Sequence, residues 1–238
     1  MNFPASTAVG SYQNVEAMLG RVLKIVPYCG EHRSVWSPDL VTVMLEAGSQ
    51  LDSIWRAQSR LSHFTKANPD IVDYYTYFGE ALHYRWVVFW GDEPVKLWPF
   101  ESWKAKKSFG RTDYAQLPWW HAFTKLKHDR LEHRKLATLE NSTHAVAALF
   151  LAILNCNECR DEVVQANWLS GLHPRPELWL AEAETAGTYN QWVTAETSLF
   201  TYPVGWCRIG IQKGSHWDNE KASHRFRQWH AQHEQAAT

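Results

Sequence analysis

Apolar positions recur at helical spacing in three long stretches of this chain, and the period breaks between the second and the third. From about Ser11 to Ile25, Val15, Met18, Leu19, Val22 and Ile25 fall at steps of three and four, which puts them on one helix face. Ser37 followed by Pro38 offers a capping hydroxyl and then a proline at the first helical position. Beyond it Leu40, Met44, Ala47, Leu51, Ile54, Gln58 and Leu61 alternate by four and three to about Phe64, and Ala67-Asn68-Pro69 ends the helix. The third pattern runs through Leu136, Leu139, Thr143, Val146, Phe150 and Ile153, thickened by Leu149 and Leu154. Pro118 opens a shorter helical piece just ahead of it.

Between those helices His83 to Trp90 is rich in aromatic and β-branched residues, Gly91-Asp92-Glu93-Pro94 reads as a turn, and Val95 to Trp98 is apolar again. That pattern predicts a hairpin near residues 83–98. After about Arg160 the periodicity weakens, and His173-Pro174-Arg175-Pro176 reads as a loop. Thr197 to Tyr202 and Trp206 to Ile211 predict a second hairpin around Pro203-Val204-Gly205. The two hairpins are expected to share one small sheet beside the bundle. A helix is expected in the tail from Asn219, with Phe226 and Trp229 inward. The fold class is therefore mainly α: one helical-bundle domain over 1–238, built on helices near 12–26, 38–64 and 134–156. It carries an insertion at about 71–117 and a C-terminal hairpin and helix extension at about 161–238.

Composition narrows the functional classes. Hydrophobic residues make up 45% of the 238 positions and charged residues 21%, a globular balance. The net charge of -1 provides no global field toward nucleic acid or an anionic membrane, so any affinity for phosphate must be local. No stretch reaches the roughly 18 apolar residues of a membrane span. Met1 to Gly20 includes Glu16 and lacks the basic start and apolar run of a signal peptide. Cys29, Cys156, Cys159 and Cys207 do not make a disulfide framework. A cytoplasmic protein without a membrane partner is expected.

The Cys156-x-x-Cys159 pair lacks the second paired ligand motif of a structural zinc site. No glycine-rich phosphate loop, G-x-S-x-G or H-E-x-x-H occurs, so no metal or cofactor is expected and nucleotide hydrolysis and metalloprotease chemistry are disfavoured. The 14 tryptophans are read first as core filling and second as stacking platforms for bases or sugars.

Local charge concentrates in one place. After Trp119 and Trp120 come Lys125, Lys127, Arg130, Arg134 and Lys135 against only Asp129 and Glu132, with His121, His128 and His133 interleaved. Cations beside aromatics suit a phosphate backbone and its bases. A solvated helix face with ordinary ion pairs gives the same composition. On the second helix Asp52, Arg56 and Arg60 read as an ion-pair stripe at i,i+4 spacing.

The run Pro118-Trp119-Trp120-x-Ala122-Phe123-x-Lys125-x-Lys127-His128-x-Arg130, followed by Ala137-Thr138-Leu139-x-Asn141 and Ala145-Val146-Ala147-Ala148-Leu149-Phe150, resembles a bacterial group within the HEPN superfamily. Trp36-Ser37-Pro38-Asp39-Leu40 and Ser49-Gln50-Leu51-Asp52 resemble it too. The resemblance spans most of 12–155 and is densest over 118–150. It implies a helical bundle that dimerises and, in many members, cleaves RNA in phage-defence and toxin–antitoxin systems. There the active pair is an Arg and a His with four to six residues between them, shared across the dimer interface.

By that resemblance His128 stands at the family histidine. The positions of the family arginine hold His121, Ala122 and Phe123 instead. RNA cleavage without metal needs a base for the 2′-hydroxyl proton and a cation for the developing charge. His128 is the candidate base, Lys127 or Arg130 the candidate cation, and His121 a further one when protonated. Lys125, Arg134, Trp119 and Trp120 are the candidate RNA-binding residues. The expected function is a HEPN-like RNA-binding or RNA-cleaving protein of bacterial stress or defence type, in the cleaving case a metal-independent ribonuclease. It is expected as a homodimer, with RNA and a cognate antitoxin or defence protein as candidate partners. The alternative is a non-catalytic, dimerising interaction module that has lost the nuclease pair, and a sugar- or small-molecule-binding role for the Trp-rich insertion stands behind both.

Overall fold

The computed structural model describes residues 3–61, 69–103, 105–108, 111–114, 117–170, 192–207, 210–212 and 223–233. Three long helices come where the apolar periodicity puts them. Helix α1 is Ala5–Leu23 and buries Val9, Tyr12, Val15, Leu19 and Val22 on one face. Ile25, expected on that face, is 81% exposed because the helix stops at Leu23. Helix α2 is Pro38–Leu61, and the Ser37 hydroxyl caps it by accepting the Leu40 amide at 3.2 Å. The expected continuation to Phe64 lies outside the described residues.

Two short α segments, α3 (Ile71–Tyr74) and α4 (Glu80–His83), are joined by a π turn over Tyr75–Gly79. The expected strand start at His83 is therefore helical, and the strand begins only at Val87. Asp70 and Asp73 form a reciprocal capping box that starts this helical run.

Helix α5 is Pro118–His128, α6 is Arg130–His133, and α7 is Leu139–Leu154. Thr138 caps α7 through the Asn141 amide, and every side chain from Ala145 to Leu154 is buried. A stretch of helix with no solvent face, as from Ala145 to Leu154, must be surrounded. Accordingly α1, α2 and α5 all pack on α7, and α5 also crosses α2. Gly48 permits that crossing: a Cβ there would lie 2.4 Å from the Phe123 ring. After α7 come α8 (Arg160–Gln165) and, near the end of the chain, α9 (His224–His233).

The strands are β1 (Val87–Trp90), β2 (Pro94–Leu97), β3 (Ala105–Ser108), β4 (Arg111–Tyr114), β5 (Leu169–Ser170), β6 (Trp192–Glu196), β7 (Phe200–Cys207) and β8 (Gly210–Gln212). The first hairpin forms about the expected turn, with Trp90 opposite Pro94. Strand β7 pairs with β1 at Val88↔Thr201 and Phe89↔Phe200, so one antiparallel sheet runs β2-β1-β7-β6-β5, with β8 on β7. Strands β3 and β4 form a separate ribbon.

The expected turn at Pro203-Val204-Gly205 is instead strand. Pro203 pairs with Thr194 of β6. On its other side it falls between the β1 partners at 200–201 and the β8 partners at 205–207, a gap where a missing N–H is tolerated. Phe226 and Trp229 of α9 do turn inward, packing on Val88 and Trp90 of the sheet.

One buried carboxylate joins bundle and sheet. Glu16 Oε1 accepts the Tyr12 hydroxyl at 3.0 Å, the Leu199 amide at 2.9 Å and the Thr197 hydroxyl. The architecture is thus mainly helical, with one six-stranded antiparallel sheet and a separate two-stranded ribbon among the described residues. Among the described residues no helix is long and apolar enough to cross a membrane.

Candidate phosphate-binding corner

Helical periodicity splits the Trp- and Lys-rich segment in two. Pro118 starts α5, and Trp119, Trp120, Ala122, Phe123 and Leu126 are buried. Trp119 is 1% exposed and donates its indole N–H to the Pro99 carbonyl at 2.7 Å. Trp120 is 7% exposed and lies 5.7 Å from Trp55 and 5.2 Å from Phe123 between ring centroids. Both indoles are therefore core residues with no free face to offer a base. Much of the Trp-rich insertion is core too, since Trp55 of α2 stacks on Phe78 and Trp103.

The other half faces outward. Lys125, Lys127 and His128 occupy the last turn of α5, where cations complement the negative end of the helix dipole. Asp129 then leaves helical geometry and accepts the Glu132 amide at 3.1 Å, which begins α6. Lys125, Lys127, His128, Arg130 and Arg134 are all exposed. His121 is half-buried and two helical turns before His128, about 10 Å along the axis, so the two imidazoles do not act on one phosphate.

The tertiary fold adds what α5 lacks. Asp52 on α2 accepts the Tyr74 hydroxyl at Oδ1, at 3.0 Å. Its Oδ2 takes the Arg56 guanidinium at 3.2 Å and lies 3.7 Å from the Lys127 ammonium. Lys127 also stands over the Phe123 ring at 5.5 Å. Arg56 and Lys127 thus converge on one carboxylate oxygen. Burial, followed by the Asp52 charge, raises the Tyr74 hydroxyl well above its ordinary value, so it remains a hydrogen-bond donor.

A second juxtaposition lies at the start of α2. The Arg134 guanidinium sits 5.7 Å from the ring centroid of Trp36 and donates to the Leu131 carbonyl. Trp36 is only half-buried. Nothing in the linear pattern ties Trp36 to Arg134 or Arg56 to Lys127. The sole hint was the i,i+4 spacing of Asp52 and Arg56, which an ordinary ion pair explains equally well.

Elsewhere, the Cys156 and Cys159 thiols are free and buried. The hydrogen bond with Cys159 and burial push the Cys156 thiol up, which keeps it from acting as a thiolate. Among the described residues no group of three or more His, Cys, Asp or Glu side chains is placed to hold a metal.

No protein-family model matches the chain, and searches of curated proteins and of solved structures also return no match.

Proposed function

We propose that this is a HEPN-like RNA-binding and RNA-cleaving protein whose working surface is the corner formed by Arg56, Lys127, His128 and Arg130. The observation that carries this reading is the convergence of Arg56 and Lys127 on Asp52, with the exposed His128 the next residue along α5. A permanently charged guanidinium thus reaches this corner from α2, although no arginine precedes His128 at the family spacing on α5.

In the reaction, His128 takes the proton from a ribose 2′-hydroxyl as its oxygen attacks the adjacent phosphorus. Arg56 and Lys127 neutralise the charge that develops on the phosphoryl oxygens. The bond from phosphorus to the 5′-oxygen breaks, and that oxygen takes up a proton from solvent. The products are a 2′,3′-cyclic phosphate and a 5′-hydroxyl, with no oxidant, metal or cofactor consumed. A homodimer is the assembly this reading carries, with an antitoxin or defence protein as its regulating partner.

Purified protein incubated with labelled single-stranded RNA tests the proposal. Cleavage is expected in the wild type and is expected to vanish in His128→Ala. His128 is exposed and makes no hydrogen bond among the described residues, so the unfolding free energy should shift by no more than about 0.5 kcal/mol. Arg56→Ala should slow cleavage as well as weaken binding and flatten its salt dependence. The second reading, a non-catalytic binding module, is favoured by the His121-Ala122-Phe123 run where the family arginine belongs. RNA binding by the wild type with no cleavage of any substrate would select it.

A further inference from the structure

An RNA-binding surface has to do something with the bases, and the two tryptophans next to the cations in sequence are sealed in the core. Phe123 lies under Lys127 but is buried, whereas Trp36, beside Arg134, is only half-buried. Its ring carries the Arg134 guanidinium at 5.7 Å, and Arg134 is held from the side by its bond to the Leu131 carbonyl. The indole supports the guanidinium from below while Arg134 remains exposed. Leu131, in the adjoining turn, is 78% exposed, an apolar side chain left standing among charges. A planar cation backed by an indole, with an uncovered leucine three residues earlier in the chain, is a surface that water solvates poorly. A flat, apolar-faced, electron-rich ring fits it.

We propose that Trp36, Arg134 and Leu131 form a stacking subsite for one unpaired nucleobase of a single-stranded RNA. The inference rests on the RNA-binding reading above and adds to it where the strand goes. Asp52 and the start of α2 at Pro38 are 14 residues apart on one helix, about 21 Å. A base on the platform therefore belongs to a nucleotide several positions away from the phosphate held by Arg56 and Lys127. Recognition is by stacking, so it tolerates any base but requires that one be present.

The test is an abasic scan. A fluorescein-labelled 2′-O-methyl RNA decamer, which lacks the attacking hydroxyl and so cannot be cleaved, is titrated by anisotropy against the full-length protein. Ten variants of the decamer each lack one base. In the wild type, one position or a short cluster is expected to lose about tenfold in affinity on removal of the base, the size of a single base–aromatic stack.

Arg134→Lys keeps the charge and removes the plane. It should flatten the scan while leaving the salt dependence of binding intact. Leu131→Ala should reduce the same dip, and Lys127→Ala should weaken all ten oligonucleotides alike. Both Arg134 and Leu131 are exposed, so equal urea midpoints for the variants and the wild type will verify that folding is not the cause. A flat scan in the wild type, or an unchanged dip in Arg134→Lys, overturns the stacking subsite and leaves the phosphate corner standing. Failure to bind any of the oligonucleotides overturns both.

Discussion

The first half of α5 and the segment just after it are neighbours in sequence and opposites in the fold. From Trp119 to Leu126 the chain spends its aromatics on the core, and Trp119 even finds a carbonyl for its indole N–H inside it. From Lys127 to Lys135 the chain is nearly all surface, with only His133 half-buried. Linear proximity of Trp and Lys therefore says little about a shared surface. A helix turns about 100° per residue, so adjacent residues of different character leave in different directions. What the cationic half touches is decided by other elements: α2 supplies Asp52 and Arg56, and the approach to α2 supplies Trp36.

Four perturbations sharpen or break that division. Trp119→Ala should cost the most, about 3–5 kcal/mol by urea unfolding, because it empties a large core volume and orphans the Pro99 carbonyl. The division would break if this variant kept wild-type stability. Acid should come next, through His144 on α7. Burial, with the Arg33 charge adding to it, lowers this imidazole from 6.5 to about 4.

The unfolded chain therefore binds this proton first. Stability at neutral pH is lost as pH falls below about 6.5, and the loss is complete near pH 4, at up to about 3 kcal/mol. His144→Gln should flatten the stability profile between those pH values, as read from denaturant midpoints. Gly48→Ala drives a methyl into the Phe123 ring at the crossing of α2 and α5, and a loss of about 1–3 kcal/mol is expected. Lys125→Ala and Arg130→Ala should shift stability least, within about 0.5 kcal/mol, while lowering the salt slope of RNA binding by about one unit each.

The elements most legible in the sequence were those fixed by local chemistry. The turn of the first hairpin was legible, because Gly91-Asp92-Glu93-Pro94 separates two apolar runs and Trp90 does pair with Pro94, although the first strand begins at Val87 and not at His83. The start of α2 followed from Ser37-Pro38, and the inward residues of α9 from the spacing of Phe226 and Trp229. The helical run over 71–83 was missed because its Tyr- and Phe-rich sequence mimics a strand and its middle is a π turn. Pro203 misled because its place in β7 depends on which strands flank it, which no local pattern records.

The candidate site divides in the same way. His128, Lys127, Lys125, Arg130 and Arg134 could be picked out from charge density, and all are exposed. Trp119 and Trp120 were drawn in by their place beside the cations in the sequence, and Arg56 and Trp36 could enter the site only through tertiary contact.

The Glu16 carboxylate also imposes an order of events on the growing chain. Tyr12 is its neighbour one turn earlier, but Leu199 and Thr197 lie more than 180 positions downstream. Until the β6–β7 turn has left the ribosome, this side chain has only Tyr12 and water in place of its two distant donors. Sealing the N-terminal helix against the sheet therefore waits for nearly the whole chain. The apolar face that will become the interior stays partly open throughout synthesis, a closure of high contact order made last.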